Sequence, residues 1–378
     1  MSPITEHARP SEQDGNRTIF FRTLEQALSS AAPQGSTVHA IGFENTDVFL
    51  KLGYRVAECE ADLVIARGGL REFDAARKAE CKKLILMPTR SHACAASDLY
   101  RTQDEAFAVT VRGKKPYGAV FDPEHTASLA SLFGEIAALD LAAFDVTFGA
   151  YMRGESIDRA LISDVAELIT ELTSKLKDNE KDRQKAAGLL IAAGEKAARI
   201  TEAHPELPYT SGAAQSVEAL RMLFAAEDRP IGMRGETEML LSVCVADFYI
   251  KSLTTVVPEF PPNNNKRIDS VCEYFHTDIR RACIHATAIY PPIKMRLCEY
   301  RRDEFRAEQM KLLSKLKQRQ LAAMPVFKRL YPDDGFALKT LVDSADIGLC
   351  IALAPDVFAA DTMLSFLKQT GRLEKYIV

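Results

Sequence analysis

Hydrophobic positions change their rhythm once along this chain, and the change divides it into two parts. From residue 18 to about residue 122, short apolar runs at 38–41, 63–66, 84–87, 106–111 and 119–121 alternate with helical spacing at 24–31 and 73–79. Short apolar runs between turn signals read as buried strands, and apolar residues three and four apart read as helix. Their alternation predicts βαβ units around a mainly parallel sheet, a Rossmann-like α/β domain with its ligands beyond the carboxyl ends of the strands. After Asp122-Pro123 strand-like alternation stops. Helices are predicted over 128–152, 156–179, 182–203, 213–226, 236–255, 267–289, 303–321, 336–344 and 357–370. The breaks fall at PELPYTSG, VVPEFPPNNN, YPPI, YPDDG and APD. The expected organisation is a leader over 1–17 without hydrophobic pattern, read as disordered, a nucleotide-binding α/β domain over 18–123, and an all-helical domain over 124–378. A cleft between two such domains is a common place for a small-molecule site.

The densest signal lies in ADLVIARGGLREFDAARKAECKKLILMPTRSHACAASD, residues 61–98. An apolar run ends in Gly68-Gly69, a helical stretch carrying Asp74 follows, and a second apolar run ends in Pro88-Thr89 with Ser91 just beyond. Bare glycines let a backbone approach a pyrophosphate, and the free N–H groups at the following helix start favour negative charge. Gly68, Gly69, Asp74, Thr89 and Ser91 are therefore candidate nucleotide contacts. The plainer alternative is that Gly68-Gly69 makes an ordinary tight turn.

Composition narrows the class. The 378 residues carry 48 basic and 52 acidic side chains, a formal charge of −4, which offers no footprint for nucleic acid or for a membrane surface. Apolar stretches fall far short of the ~20 residues of a membrane span, and the polar N-terminus is unlike a signal peptide. A cytoplasmic protein is expected. The eight cysteines lack any CxxC pair and read as free thiols.

Taken in order, the segments resemble the iron-containing alcohol dehydrogenase superfamily, with its glycerol dehydrogenases, sn-glycerol-1-phosphate dehydrogenases and dehydroquinate synthases. Phe43-Glu44-Asn45-Thr46 resembles the D-x-N-T turn of that superfamily. Gly68-Gly69-Leu70 with Asp74-Ala75-Ala76-Arg77 resembles its GGG-x3-D-x-A-K turn, and Pro88-Thr89-Arg90-Ser91 its P-T-x-x-S strand end. Lys115-Pro116 to Asp122 resembles the last strand of the nucleotide domain, and Phe133-Gly134-Glu135 the segment that supplies a metal carboxylate. The spacing from Glu135 to Asp145 and the tail from Thr362 to Glu374 look most like the glycerol-1-phosphate branch.

What the resemblance implies is an NAD- or NADP-dependent oxidoreductase acting on a small, phosphorylated or plain, polyol or ketone. Asn45 and Thr46 join the nucleotide contacts, and a homo-oligomer is compatible with it. In the resembled enzymes a divalent metal held by one carboxylate and two imidazoles polarises the alcohol oxygen. Here those positions are Glu135, Gln215 and Arg234. Gln215 is a poor transition-metal ligand and Arg234 has no lone pair to donate, so no metal is expected. Glu135, Gln215 and Arg234 are instead candidate catalytic residues, with the Arg234 guanidinium in the cation's electrostatic role. The alternative is an inert ion pair. The cofactor side is altered too: Phe43 stands where a carboxylate would meet a ribose, Leu70 replaces the third glycine, the 91–97 loop lacks a polyol-directed carboxylate, and Leu139 replaces a lysine. A binding or scaffold protein without redox chemistry is one rival reading, and a dehydroquinate synthase-like lyase or cyclase is another.

Two further constellations have bland readings beside them. Cys272, His276, Cys283 and His285 lie within one helical span, the first three with spacing that shares a face, but packing of buried cysteines explains them better than zinc does. His92, in a loop, could shuttle protons or be surface. No Walker loop, G-x-S-x-G or Ser/His/Asp spacing supports a kinase or hydrolase.

Overall fold

The computed structural model describes residues 17–89, 98–104, 107–121, 129–153, 211–227, 234–255, 302–330, 344–357 and 362–369, with residues 166, 167, 170, 192, 229 and 373 besides. The expected leader apart from Arg17, the domain boundary at 123, and the helices expected at 156–179 apart from residues 166, 167 and 170, at 182–203 apart from residue 192, at 267–289, and at 336–344 apart from Ser344 lie outside the described residues. So do Ser91, His92 and the group Cys272, His276, Cys283 and His285.

Among the described residues the elements run β1 (Ile19–Phe21), α1 (Leu24–Ala31), β2 (Thr37–Ile41), α2 (Asp47–Lys51), β3 (Arg55–Val56), β4 (Ala61–Gly68), α3 (Leu70–Lys78), β5 (Cys81–Pro88), β6 (Leu99–Asp104), β7 (Phe107–Arg112) and β8 (Gly118–Val120). Helices α4 (Leu129–Arg153), α5 (Gly212–Ala226), α6 (Arg234–Thr255), α7 (Asp303–Leu330), α8 (Ser344–Val357) and α9 (Met363–Gln369) follow. Six strands form one parallel sheet in the order β1-β8-β5-β4-β2-β3. The α/β architecture with a helical remainder is the one the alternation predicts.

Side-chain alternation makes the sheet two-faced. Leu63 and Ile65 of β4 pack with Ala27, Leu28 and Phe49 of α1 and α2, whereas Val64 and Ala66 pack with Phe73 and Ala76 of α3. All four β4 residues are fully buried. A strand covered on both faces needs a continuous apolar run, which is what VIA supplies. Each such Leu, Ile or Val contributes about 1.5–3 kcal/mol by leaving water. Four cysteines among the described residues, at 59, 81, 244 and 350, are free thiols.

Four expectations need correction. The run expected at 106–111 as part of the parallel sheet is β7, which pairs antiparallel with β6 in a separate two-stranded ribbon. Alternation along one strand carries no information about the direction of its partner, so the pattern alone could not separate the two. Helix α8 was not expected: its 347–354 segment is apolar all round and hides the 3.6-residue period. In consequence the helix expected over 357–370 is the shorter α9, and α7 runs past the expected stop at Leu321 with Pro325 inside it.

The helical core gathers Leu141, Phe144 and Phe148 of α4 with Leu220 and Phe224 of α5, Val245 and Tyr249 of α6, Phe305 of α7 and Phe366 of α9. Arg229 grips Asp346 of α8 with two bonds of 3.0 and 2.7 Å. Arg319 of α7 does the same to Asp140 of α4, at 2.8 and 2.6 Å. Burial pushes the Asp140 carboxyl up from the usual range, against the downward pull of Arg319. A carboxyl raised in the folded chain takes up its proton there first, so this group favours folding at acid pH and that contribution is lost as pH rises through its folded pKa. In Arg319→Met the uncompensated carboxylate is expected to cost about 1–2 kcal/mol at neutral pH, below the range for a fully buried pair because Arg319 keeps some exposure. The deficit against wild type should shrink as pH falls, when followed by urea unfolding at several pH values. A deficit that stays constant with pH would contradict it.

Candidate functional site

The parallel sheet changes direction between β2 and β4: β3 lies on one side of β2, and β4, β5 and β8 follow on the other. Ligands of open α/β sheets sit beyond the strand ends at such a switch point. Two glycines end the strands that flank it. Gly42 follows β2 with φ +76°, and a Cβ placed there would fall 2.0 Å from the Arg67 carbonyl oxygen. Gly68 ends β4 with φ +147°. Any other residue at position 42 would push the two strand ends apart, so the crevice is closed to its present width by a backbone contact.

The turn after β4 is held from two sides. Thr89, at the end of β5, donates its N–H at 3.1 Å and its hydroxyl at 3.2 Å to the Gly68 carbonyl. On the other side the Glu72 carboxylate folds back over the turn, and Gly69 N–H donates to its Oε2 at 2.9 Å. A Cβ at Gly68 would start 2.6 Å from the same oxygen. Glu72 is the third residue of α3, where a glutamate reaching back to the cap N–H satisfies one of the orphan donors of the helix start. The Gly69 N–H at the start of α3 is thus already taken by an internal carboxylate.

The remaining expected nucleotide residues are placed less centrally. Asn45 is engaged locally: its Oδ1 accepts the Asp47 N–H at 2.7 Å and its Nδ2 donates to the Asp47 carboxylate at 3.3 Å. Thr46 occupies the cap of α2 without a side-chain bond to it. Asp74 pairs with Lys78 at 2.6 Å along α3. Phe43 packs edge-on against Phe49 at 5.1 Å, in the core face of the sheet, while Glu44 beside it is exposed. Gly42 and Glu72 were missed from sequence. The signals were there: a glycine directly after the 38–41 run, and a glutamate three residues after Gly69.

The second set of candidates lies in the helical part. Helices α4 and α6 touch backbone to backbone, since a Cβ on Gly134 would fall 1.7 Å from the Gly235 carbonyl oxygen. That crossing brings the backbones of neighbouring Glu135 and Arg234 together. Gln215 is turned elsewhere: it is fully buried, its Oε1 accepts from the Thr362 hydroxyl at 2.6 Å and its Nε2 donates to Ser365 Oγ at 3.0 Å. Its amide thus belongs to the α5/α9 packing. With that amide engaged and Arg234 lacking a lone pair, these residues do not fit a divalent cation. No group of three His, Cys, Asp or Glu able to hold a metal occurs among the described residues.

The start of the helix that carries Gln215 is held by a carboxylate that in sequence is only one end of a spacing. Asp145, at the inner side of α4, is 1% exposed. Its Oδ2 accepts the Gly212 N–H at 2.8 Å, and its Oδ1 accepts the Met363 N–H at 2.9 Å and the Tyr249 hydroxyl at 3.0 Å. Tyr249 in turn accepts the Leu364 N–H at 3.1 Å. One carboxylate therefore receives the starts of both α5 and α9, where helix dipoles favour negative charge. Burial, and next the Asp145 charge, push the Tyr249 phenol well above its ordinary pKa. Ser211 completes the start of α5 by accepting the Ala214 N–H at 3.0 Å.

Against this geometry the comparisons with known proteins can be set. No family model matches the sequence, and no curated protein matches it. Among solved structures the chain is similar to an iron-containing alcohol dehydrogenase from Corynebacterium glutamicum ATCC 13032, at 12% identity over 96% of this chain and 94% of that one, with a TM-score of 0.45. Two reductases are similar as well. Maleylacetate reductase from Rhizobium sp. strain MTP-10005 gives 12% identity, coverage of 100% and 98%, and a TM-score of 0.48. Sulfoacetaldehyde reductase from Bifidobacterium kashiwanohense, solved in complex with NAD+, gives 12% identity, coverage of 95% and 97%, and a TM-score of 0.48. No described helix is long and apolar enough to cross a membrane.

Proposed function

We propose that this chain is a nucleotide-dependent protein of the dehydrogenase and reductase kind, which takes NAD or NADP at the β2/β4 crevice and a small polyol or ketone, plain or phosphorylated, as substrate. The observation that carries the reading is the pair of glycine-ended strands at the sheet's switch point, with an anion-accepting N–H at Gly69. The nicotinamide, when bound, supplies or accepts the hydride. Gly69 receives phosphate oxygen once Glu72 swings aside, Thr89 holds the turn, and Arg67 adds a positive charge at the end of β4. In the helical part Arg234 fills the cation's role beside Glu135, binding an anionic or carbonyl oxygen with fixed charge. No step passes through a metal.

A second reading, binding without turnover, is favoured by the commitment of Gln215 to Thr362 and Ser365. A thermal-shift titration with NAD(H) and NADP(H), followed by nicotinamide absorbance with glycerol phosphate and dihydroxyacetone phosphate, separates the two. Melting temperature should climb with the logarithm of nucleotide concentration, and turnover should follow without added metal. Stabilisation without turnover would select the second reading. Failure of both the wild type and Glu72→Ala to respond to nucleotide would exclude both.

A further inference from the structure

Cys81 is the cysteine, among those described, with an amine at its sulfur. It opens β5 half-buried, packed against the face of the sheet that holds Val64 and Phe73. Lys114, on the connection from β7 to β8, reaches across to it: Nζ donates to the Cys81 carbonyl and, at 3.1 Å, to Cys81 Sγ. The lysine is itself held, because Arg77 of α3 donates to the Lys114 carbonyl at 2.6 Å. The two lysines that follow Cys81 are turned to other partners. Lys82 pairs with Asp62 at 2.7 Å, and Lys83 donates to the Ala31 carbonyl at 2.7 Å with its amine over the Tyr117 ring. A partly exposed thiol beside a cation is the setting in which cysteines react, whereas deeply buried ones such as Cys350 are inert.

We propose that Cys81 and Lys114 form an oxidant-driven covalent bridge, a sulfenamide between Sγ and Nζ, with hydrogen peroxide as the oxidant. In the first step the Cys81 sulfur takes one oxygen from peroxide, the O–O bond breaks, and the thiol proton leaves with the other oxygen as water. Sulfur is oxidised by two electrons and peroxide is reduced. A sulfenic acid condenses with a neighbouring thiol or nitrogen, and the nitrogen already in contact is Nζ. Once its ammonium has released one proton to solvent, Nζ attacks sulfur: the N–S bond forms, the S–O bond breaks, and hydroxide leaves as water with a second Nζ proton. The bridge ties together residues 33 apart in the chain, and a crosslink that closes such a loop removes conformational freedom from the unfolded chain. It sits at the amino end of β5, whereas the crevice lies beyond the carboxyl ends, so it stands independently of the nucleotide reading.

The test treats the full chain with hydrogen peroxide and digests it with trypsin without reduction. In the wild type, cleavage after Lys114 should be lost, and a peptide pair joining Cys81 to Lys114 should appear, lighter by two hydrogen atoms than its separate parts. Dithiothreitol should restore both peptides, and the urea midpoint of the oxidised chain should lie above that of the reduced one. Lys114→Arg keeps the positive charge, but a guanidinium is a poor nucleophile, so Cys81 should stop at a sulfenic acid that dimedone labels, with the rise in midpoint lost. Cys81→Ser should leave cleavage after Lys114 intact under peroxide. A treated wild-type chain in which Cys81 is unchanged, carries oxygen alone or joins another cysteine would overturn the proposal, as would a rise in midpoint that persists in Lys114→Arg.

Discussion

Asp145→Ala is expected to cost about 4 kcal/mol of folding stability, the largest loss from any single polar residue considered. Three donors, from Gly212, Met363 and Tyr249, converge on this carboxylate inside the helical core. Removing it strands all three, and each buried unsatisfied group costs about 1–3 kcal/mol. Asp145→Asn should recover part of the loss, since one amide oxygen can still accept, although the amide N–H groups now face other donors. Urea denaturation measures the difference. Hydrogen exchange should show the Gly212 and Met363 amides opening in Asp145→Ala before the rest of the core. Equal stability of Asp145→Ala and wild type would mean that the two helix starts do not depend on this carboxylate.

Glu72→Ala should raise nucleotide affinity about thirtyfold, about 2 kcal/mol. The wild-type turn already spends its Gly69 N–H on the Glu72 carboxylate, and a charge-assisted bond of this type is worth about 1.5–3 kcal/mol. An incoming pyrophosphate must displace that carboxylate and also lie next to its charge. Glu72→Gln keeps the length and the acceptor without the charge, so its affinity should fall between the two. Loss of the cap at the start of α3 should cost about 1 kcal/mol of stability, so tighter binding and a lower melting temperature of the free protein appear together. Calorimetric titration with NADH and NADPH provides the affinities, and an affinity unchanged or lowered in Glu72→Ala contradicts the assignment of the turn as the phosphate site.

The strands and glycine turns of the α/β half are legible in the sequence because they depend on local features. Strand β4 is an apolar run with a Gly-Gly stop, and nothing distant alters that. What was not legible depends on partners. Residues 106–111 alternate as any strand does, and only β6 makes them half of an antiparallel ribbon. The 347–354 segment of α8 is apolar all round because α5 and the rest of the core surround it, so it has no polar face to reveal the period. In the site, Gly68, Gly69 and Thr89 converge as their spacing implies, whereas Asn45 and Asp74 spend their side chains on nearest neighbours. Gln215 shows the limit of comparing motifs: it reads as a site residue from a resemblance in sequence, but a hydroxyl pair 147 and 150 residues further on captures its amide. In sequence Asp145 is only one end of a spacing, because the role of a lone acid in an apolar helix is silent until the two helix starts that need it arrive from elsewhere.

At Gly134 and Gly235 two helices meet with nothing but main chain between them. The spacing of residues 135 and 234 is thereby set by atoms that no rotamer change can move, like the fixed jaw of a gauge. A change of side chain at either position would leave the gap as it was, so new chemistry here would come from what each jaw carries rather than from how far apart the jaws stand.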